Sequence, residues 1–497
     1  MRGNKTLLPL LLSFLIPFVV AVNFNLNLWY TFGTYLMDAG WNASLVTHCL
    51  PFQTQNPAVI DSQSYFRTHM MPILWLYSSL YRCMPGISQP IYASVLMGFW
   101  SGMLGLAGFL LAFRLTRRHV LACIVALLGA LNGIALSVIS FPHLEIAFAP
   151  LLLLFLGCLT QPRVPYLPAV SVFVLLLSVR EDAGLHTFGI LFMMTLHALV
   201  IRSNTSAIKY AIAGGAAFLC SAITITIQKT LFVAGDNALV RIYTGDPYYA
   251  HVTREFVETR LSYSLHNHAY IYLPWVILLS FGILRRHGLL VLGCLSVLPW
   301  FLFSFLAIAA PAGQLVAHYP FPLMIFLFWP SIAGYVRRPS KAHEFAFMQI
   351  LACALSIVLF SKTDAVFDKR MVSKFDFAYM QYIAGTEDAM RWIETHSDQL
   401  GTFIVDDAAG SFLVNSIGRR NWRFAGKYKE REQANIDSIV YFRNSFLSEQ
   451  YKTMAENPRF AYSYEFPESN VVLKSTKELQ LSATLPMGGV DAPAVRP

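Results

Sequence analysis

The sequence predicts an all-α polytopic membrane protein that carries a small α/β domain at its C-terminal end. Three observations support this fold class. Only 13% of the 497 residues are charged, about half of the ~25% that is typical of soluble proteins. Apolar runs of about 20 residues, long enough to cross a bilayer, recur up to residue 361. Beyond that point the composition becomes that of a soluble domain, with short alternating apolar and polar segments.

The apolar runs predict about 11 transmembrane helices, near residues 7–22, 90–113, 120–140, 146–160, 165–180, 184–201, 209–232, 271–284, 288–310, 322–336 and 345–361. If the N-terminus is cytoplasmic and the spans alternate, every cytoplasmic turn is rich in Arg or Lys. Those turns contain Arg114, Arg117, Arg118, Arg163, Arg202, Lys209, Arg285, Arg286, Arg337, Arg338 and Lys341. This arrangement explains the net charge of +9 by contact with the lipid bilayer rather than with nucleic acid. It also favours a multi-pass protein of the inner (cytoplasmic) membrane.

The same spans define the predicted domains. Residues 1–361 form the transmembrane helical domain, with long outer loops at 23–89 and 234–270. Residues 362–480 form an extracytoplasmic α/β domain, and residues 481–497, rich in Gly, Pro and Ala, are predicted to be disordered. Cys49 and Cys83 lie in the first outer loop, where an oxidising compartment would permit a disulfide, and the sequence leaves that pairing open.

Periodicity places the elements of the C-terminal domain. An amphipathic pattern predicts a helix at Gly385–His396. Alternating β-branched and aromatic residues predict strands at Thr402–Val405 and Ser438–Phe442, and a closing pair formed by Arg459–Phe466 and Val471–Lys474.

The unusual ionisable residues all map to the outer ends of the spans. They are Asp38, Arg67, His69, His143, Glu145, Arg180, Glu181, Asp182, Arg241 and His318. A transport pathway is expected to place charges at mid-depth of several spans instead. Charged residues next to apolar segments are costly unless they are paired or hydrated, so they mark a functional site by default. The one-sided placement therefore predicts an active site at the outer membrane interface.

Seven of these residues belong to four short motifs that occur in a fixed order. The motifs are Phe66-x-x-His69-x-x-Pro72, Phe141-Pro142-His143-Leu144-Glu145, Arg180-Glu181-Asp182 and His318-Tyr319. Their order and placement resemble a large family of uncharacterised prokaryotic predicted membrane proteins. That family is in turn similar to GT-C-type glycosyltransferases, which use polyprenyl-phosphate sugars. The resemblance implies a GT-C-like fold for the transmembrane domain.

One feature departs from the family pattern. The family usually places an Asp close to a Gly in the first outer loop, where GT-C enzymes carry an acidic base. Here the segment around Gly33 has no such Asp, and the first acid is Asp38. The resemblance therefore points to Asp38 as the base, while a solvated or helix-capping carboxylate is the alternative.

The resemblance and the chemistry of sugar transfer together assign roles to the outer residues. An acceptor hydroxyl must lose a proton, which suits the catalytic carboxylates Asp38, Glu181 and Asp182. The leaving phosphate needs cationic or hydrogen-bonding partners, for which the candidates are Arg180, His69, His318, Arg67 and Arg241. His143 and Glu145 are predicted to hold a divalent cation, Mg²⁺ or Mn²⁺, or the acceptor. For Asp182 the alternative is a simple helix cap.

The resulting prediction is an integral membrane glycosyltransferase. It would transfer a sugar from a polyprenyl-phosphate donor to an extracytoplasmic glycan, lipid or protein acceptor, by displacement with inversion at the anomeric carbon. A membrane transporter or lipid flippase is the alternative function.

Overall fold

The computed structural model describes residues 4–32, 37–49, 64–232, 239–315, 318–337, 341–363, 375–414, 422–424, 435–445 and 448–479. The predicted disordered tail, 481–497, lies outside the described residues. The described part is mainly helical, with one five-stranded sheet near the C-terminal end.

The helices follow the predicted apolar runs closely. In chain order they are α1 (Asn4–Leu26), α2 (Met37–His48), α3 (Ile73–Arg82), α4 (Gln89–Thr116), α5 (His119–Ala130), α6 (Gly133–Ile139), α7 (Phe148–Leu159), α8 (Tyr166–Ser178), α9 (Ala183–Val200), α10 (Asn204–Leu231), α11 (Arg254–Asn267), α12 (Ala269–Leu284), α13 (Gly288–Leu295), α14 (Leu298–Phe305), α15 (Ala310–Gly313), α16 (Trp329–Arg337), α17 (Ala342–Phe360), α18 (Ile383–Thr395), α19 (Asp407–Leu413) and α20 (Glu449–Ala455). Shorter 3₁₀ or π segments lie at Asn27–Phe32, Tyr65–Arg67, Leu144–Ala147, Leu239–Thr244, Phe321–Phe328 and Ala378–Gln381.

Several of these helices make the chain a membrane protein. Among the described residues, six helices are long and apolar enough to cross a bilayer, or up to eight if each of two bent helix pairs counts as one span. The bent pairs are α5 with α6, which turn by 51°, and α11 with α12, which turn by 84°. Three further apolar helices, of 10–17 residues, are shorter than this test requires. All of the predicted spans coincide with helical segments, whereas the number that cross the membrane stays a prediction.

The chain divides into two compact units whose boundaries differ from those of the predicted domains. Unit 1 comprises Met1–Val22, Tyr65–Leu76 and Val95–Lys374. Unit 2 comprises Asn23–Ser64, Tyr77–Ser94 and Phe375–Pro497. The C-terminal domain thus shares a unit with most of the predicted first outer loop.

Small residues allow helices of unit 1 to approach closely. A Cβ atom added at Gly102 of α4 would lie 2.7 Å from the Phe14 ring of α1, and one at Gly105 would overlap the carbonyl of Ser13. Membrane helices pack through such small-residue surfaces because there is little hydrophobic drive between them. Glycine at these positions is therefore required by the α1–α4 contact.

Unit 2 is built around a mixed sheet. The strands are β1 (Phe403–Val405), β2 (Trp422–Phe424), β3 (Ser438–Phe442), β4 (Tyr462–Glu465) and β5 (Val471–Ser475). Their spatial order is β2-β1-β3-β5-β4, in which β1 pairs parallel with β2 and β3, and β5 pairs antiparallel with β3 and β4. This confirms the helix, the two strands and the closing pair predicted for the region.

Alternate strand residues bury against opposite layers, as the two-residue period requires. Phe403, Val440 and Leu473 pack against helices α18 and α19 on one face. Ile404 and Ile439 pack against α20 on the other face. Residues of the predicted first outer loop join this unit: the Asn470 side chain donates hydrogen bonds to the backbone oxygens of Tyr30 and Thr31, both at 3.1 Å.

The disulfide that the sequence left open is not formed. Neither Cys49, which is buried, nor Cys83, which is exposed, is joined to another cysteine. Cys83 donates a long sulfur hydrogen bond of 3.6 Å to the Ser79 carbonyl within its own turn.

Candidate functional site

Arg180 lies at the centre of a buried polar cluster in unit 1. It occupies the turn between α8 and α9, so its guanidinium is held beside the two carboxylates that follow it in the chain. Arg180 Nε lies 3.2 Å from Asp182 Oδ1 and 3.7 Å from Glu181 Oε1, and Nη1 lies 3.4 Å from Glu145 Oε1. Phe321 lies under the guanidinium, which is 5.8 Å from the ring centroid.

Glu145 enters this cluster from the 3₁₀ segment Leu144–Ala147. Its side chain is only 1% exposed, and its second oxygen lies 3.1 Å from His143 Nδ1. A buried carboxylate needs partners on both oxygens, and Arg180 and His143 supply them. The motif at 141–145 thus joins Arg180 through a direct ion pair.

His69 joins the cluster from the segment after Tyr65–Arg67. Its Nδ1 atom lies 3.0 Å from Glu181 Oε1, and the Met70 backbone N–H donates to the other Glu181 oxygen at 3.0 Å. This contact joins two positions that are 112 residues apart in the chain.

His318 completes the set of predicted histidines. Its ring stacks on that of His143, with centroids 3.6 Å apart and an interplanar angle of 7°. The Phe141 ring also stacks on the His143 ring, with their centroids 5.3 Å apart. We refer to His69, His143, Glu145, Arg180, Glu181, Asp182, His186 and His318 as the polar cluster.

Sequence reasoning missed some of the residues at this site. His186 lies one helical turn after Asp182, with its Nε2 atom 3.6 Å from Asp182 Oδ2. Its ring packs edge-on against Trp300, at 4.8 Å between centroids. The i, i+4 spacing of Asp182 and His186 on a predicted helix could have identified this pair. Trp300 carries no such signal, because it comes from a distant segment.

Several buried polar atoms of the cluster lack hydrogen-bond partners among the described residues. They are Arg180 Nε, Asp182 Oδ1, His186 Nε2 and His318 Nδ1. Arg180 and Asp182 attract each other as an ion pair, but their atoms are not aligned as a hydrogen bond. Buried polar groups are normally satisfied, and exceptions point to a functional role or to a bound ion or ligand. These four atoms could therefore form further hydrogen bonds with a ligand or an ion.

The pKa values of three members of the cluster are strongly shifted by burial and by their neighbours. Burial alone would lower the pKa of Arg180, but the carboxylates of Asp182, Glu181 and Glu145 raise it well above its ordinary value. Burial opposes ionisation of Asp182, yet Arg180 and His186 lower its pKa. Burial and the neighbouring His143 lower the pKa of His318 well below its ordinary value. The carboxylates thus favour the charged form of Arg180, Arg180 favours the charged form of Asp182, and burial favours the neutral form of His318.

Other predicted site residues lie outside these contacts. Asp38 belongs to unit 2, in the first turn of α2, where its charge contributes to raising the pKa of Asp407 after the larger effect of burial. Arg67 is half-buried at the end of its 3₁₀ turn, and its backbone carbonyl lies 3.4 Å from Gln228 Nε2. Arg241 is exposed in the π-helical segment Leu239–Thr244. The roles of these three residues stay predictions.

The sequence matches no protein-family model and no curated protein.

Proposed function

We propose that the polar cluster is the reaction centre of a membrane glycosyltransferase that uses a polyprenyl-phosphate sugar. The observation that carries this proposal is the set of buried, unpartnered polar atoms around Arg180. Such atoms are costly to maintain in a folded protein unless a ligand satisfies them. A guanidinium and imidazoles are suited to phosphate, and carboxylates are suited to a hydroxyl that loses its proton.

The position of the cluster along the chain supports a reaction at headgroup depth. Arg180, Glu181 and Asp182 lie between two helices, and His143 and His318 immediately precede helical segments. With the orientation that the basic turns favour, all of these positions face the extracytoplasmic side of the inner membrane. A lipid-linked donor presents its phosphate at that depth while its tail stays in the bilayer.

An apolar cavity in the same unit supports a lipid substrate. It has a volume of about 100 Å³ and is lined by Ile271, Trp275, Leu298, Phe301, Leu323 and Phe326, among others. Leu323 and Phe326 belong to the segment Phe321–Phe328, whose first residue lies under Arg180. The segment therefore connects the polar cluster to an apolar cavity within two helical turns, as an isoprenoid phosphate requires.

The proposed reaction is a direct displacement. An acceptor oxygen attacks the anomeric carbon, a new C–O bond forms, and the bond to the donor phosphate breaks with its electron pair on the phosphate oxygen. A carboxylate takes the acceptor proton, and Arg180 with the cluster histidines stabilises the departing phosphate. The sequence-based candidate for the base is Asp38, which belongs to unit 2; within the cluster the candidate is Asp182.

A transporter is the second candidate function, and the bent helix pairs favour it. Discontinuous helices often form substrate sites in transporters, and α11 with α12 turns by 84°. However, the ionisable groups gather at the ends of helical segments, whereas a transport pathway is expected to place them at mid-depth.

The test is turnover of a short-chain polyprenyl-phosphate sugar mixture by purified protein, with wild type beside Asp38→Asn and Asp182→Asn. Release of polyprenyl phosphate by wild type, lost in one folded variant, would support the enzyme and identify the base. Donor binding without turnover in any acceptor mixture would count against a transferase, and scrambling of the donor between leaflets of vesicles would establish the flippase instead.

A further inference from the structure

We infer that His143, Glu145 and His318 form a site for one divalent transition-metal ion, with Zn²⁺ as the best match. Each residue offers one ligand atom, and these atoms all lie within 4.8 Å of one another. Ligands of a tetrahedral zinc ion, each about 2.0–2.1 Å from the metal, lie roughly 3.4 Å apart. A movement of about 1 Å would therefore bring the three atoms to coordinating distance.

The surroundings of the three residues resemble the support that metal ligands need. Arg180 holds one Glu145 oxygen at 3.4 Å, so the carboxylate cannot turn away freely. Phe141 packs along the imidazole of His143 at 5.3 Å between centroids. Such neighbours orient ligands and are themselves important for metal affinity.

The stacked imidazoles define the movement that binding requires. The rings of His143 and His318, with centroids 3.6 Å apart, hold their in-plane lone pairs in two nearly parallel planes. One ring must tilt before both can point at a single ion. The Nδ1 atom of His318 is buried without a hydrogen-bond partner, so tilting this ring breaks no bond to that atom.

The charge of the cluster gives an independent reason for a cation. Three carboxylates, Glu145, Glu181 and Asp182, share one guanidinium, that of Arg180. Buried charges are costly unless they are compensated. A divalent ion at this place would add positive charge beside the three carboxylates.

The donor set selects the class of metal. Two imidazole nitrogens and one carboxylate oxygen suit Zn²⁺ or a similar first-row ion, and they leave coordination positions open for water or substrate. Mg²⁺ prefers oxygen ligands in a near-ideal octahedron. The structure therefore favours zinc-like ions over the Mg²⁺ that the sequence suggested. An open position would attract a phosphate oxygen of the donor, and this last role rests on the proposed function.

Cobalt substitution tests the site directly. Purified protein without a polyhistidine tag is freed of metal with a chelator and titrated with Co²⁺, whose visible absorption reports coordination by nitrogen and oxygen. We expect one equivalent of Co²⁺ per chain, displaced by Zn²⁺. His318→Gln and Glu145→Gln should each weaken binding by at least tenfold.

The matched control is His266→Gln, which removes an exposed imidazole from α11. It should bind Co²⁺ as wild type does. Equal binding by wild type and His318→Gln, or loss of the signal in His266→Gln alone, would overturn the proposal. His318→Gln stays informative if Glu145→Gln fails to fold, because it removes no ion pair of Arg180.

The titration contains no sugar donor, so its outcome is separate from that of the transfer assay. Metal binding with no sugar transfer would keep the metal site and reject the glycosyltransferase. Sugar transfer that is unchanged after chelation, together with no Co²⁺ signal, would reject the metal site alone.

Discussion

Two aspartates that each precede a helix behave in opposite ways. Asp406 caps α19: its side chain accepts hydrogen bonds from the backbone of Ala409 at 2.7 Å and of Phe442 at 2.9 Å, and from the Ser448 hydroxyl. Asp182 stands at the same position before α9, but its side chain makes no capping hydrogen bond.

The difference separates a structural carboxylate from one available to a ligand. Every oxygen of Asp406 is used within unit 2, so the residue stabilises the link between β1, α19 and β3. Asp182 Oδ1 instead lies 3.2 Å from Arg180 Nε without a hydrogen bond. A helix N-terminus that gives up its cap loses about 1 kcal/mol of stability, which is consistent with selection for another role.

The largest expected effect comes from breaking the charge balance at Arg180. Arg180→Gln leaves the buried Glu145 and the partly exposed Glu181 and Asp182 without their permanent cation, so we expect a loss on the order of 3 kcal/mol in the free energy of unfolding. The rate of sugar transfer should fall by about 10³-fold. Thermal melting in detergent and polyprenyl-phosphate release measure the two effects. Arg180→Lys, which keeps the charge, should retain more stability, and equal losses in both variants would refute the charge argument.

The free energy of unfolding should depend on pH through the buried carboxyl group of Asp406. Burial raises the pKa of Asp406 to about 6, although the hydrogen bonds it accepts lower it. The folded protein therefore holds this proton more tightly than the unfolded chain does. The resulting stabilisation is present below about pH 4 and is lost as the pH rises through about 6, an effect on the order of 3 kcal/mol.

Denaturant unfolding at several values between pH 4 and pH 7 measures this effect. The informative quantity is the difference between wild type and Asp406→Asn, because other acids titrate in the same range. A difference that does not change with pH would contradict the raised pKa.

Asp406→Asn should also lower stability at fixed pH. An amide cannot accept all three hydrogen bonds, so one donor loses its partner, at about 1–3 kcal/mol. Faster hydrogen exchange at the Phe442 amide would locate the loss. Transfer per folded molecule should be unchanged, and a strong loss of turnover in fully folded protein would place Asp406 in the reaction instead.

The smallest expected effect comes from a displacement of helix α9, which follows Asp182. A Cβ atom at Gly184 would overlap the Ala217 carbonyl and lie 2.6 Å from Ser221 Oγ, so Gly184→Ala should push α9 away from α10. Small shifts of catalytic groups are costly, and we expect transfer to fall by about tenfold. Gly215→Ala on α10, where a Cβ meets no atom within 4 Å, is the control and should keep the wild-type rate.

The sequence predicted those parts of the fold that depend on local patterns. Apolar runs located the helical segments, and alternation located β1, β3, β4 and β5. It did not predict that residues 27–32 contact the C-terminal domain, because contacts such as that of Asn470 with Tyr30 join positions 440 residues apart. Whether Cys49 and Cys83 pair likewise depends on tertiary placement, which spacing does not reveal.

The sequence predicted which acids and histidines belong to the candidate site, but it did not predict the contacts between them. Ordered motifs identified His69, His143, Arg180 and His318, which the structure brings into one cluster. The stacking of His143 on His318 and the contribution of Trp300 arise from packing between distant segments. No local pattern in the sequence encodes either contact.

The most direct test of the central claim is the pair Asp182→Asn and Asp406→Asn, each assayed for polyprenyl-phosphate release and for melting temperature. If Asp182 binds a ligand and Asp406 stabilises the fold, Asp182→Asn should lower polyprenyl-phosphate release by about 100-fold with little change in melting temperature. Asp406→Asn then melts several degrees lower and keeps its release per folded molecule. The reverse pattern, or wild-type release by Asp182→Asn, would contradict the account.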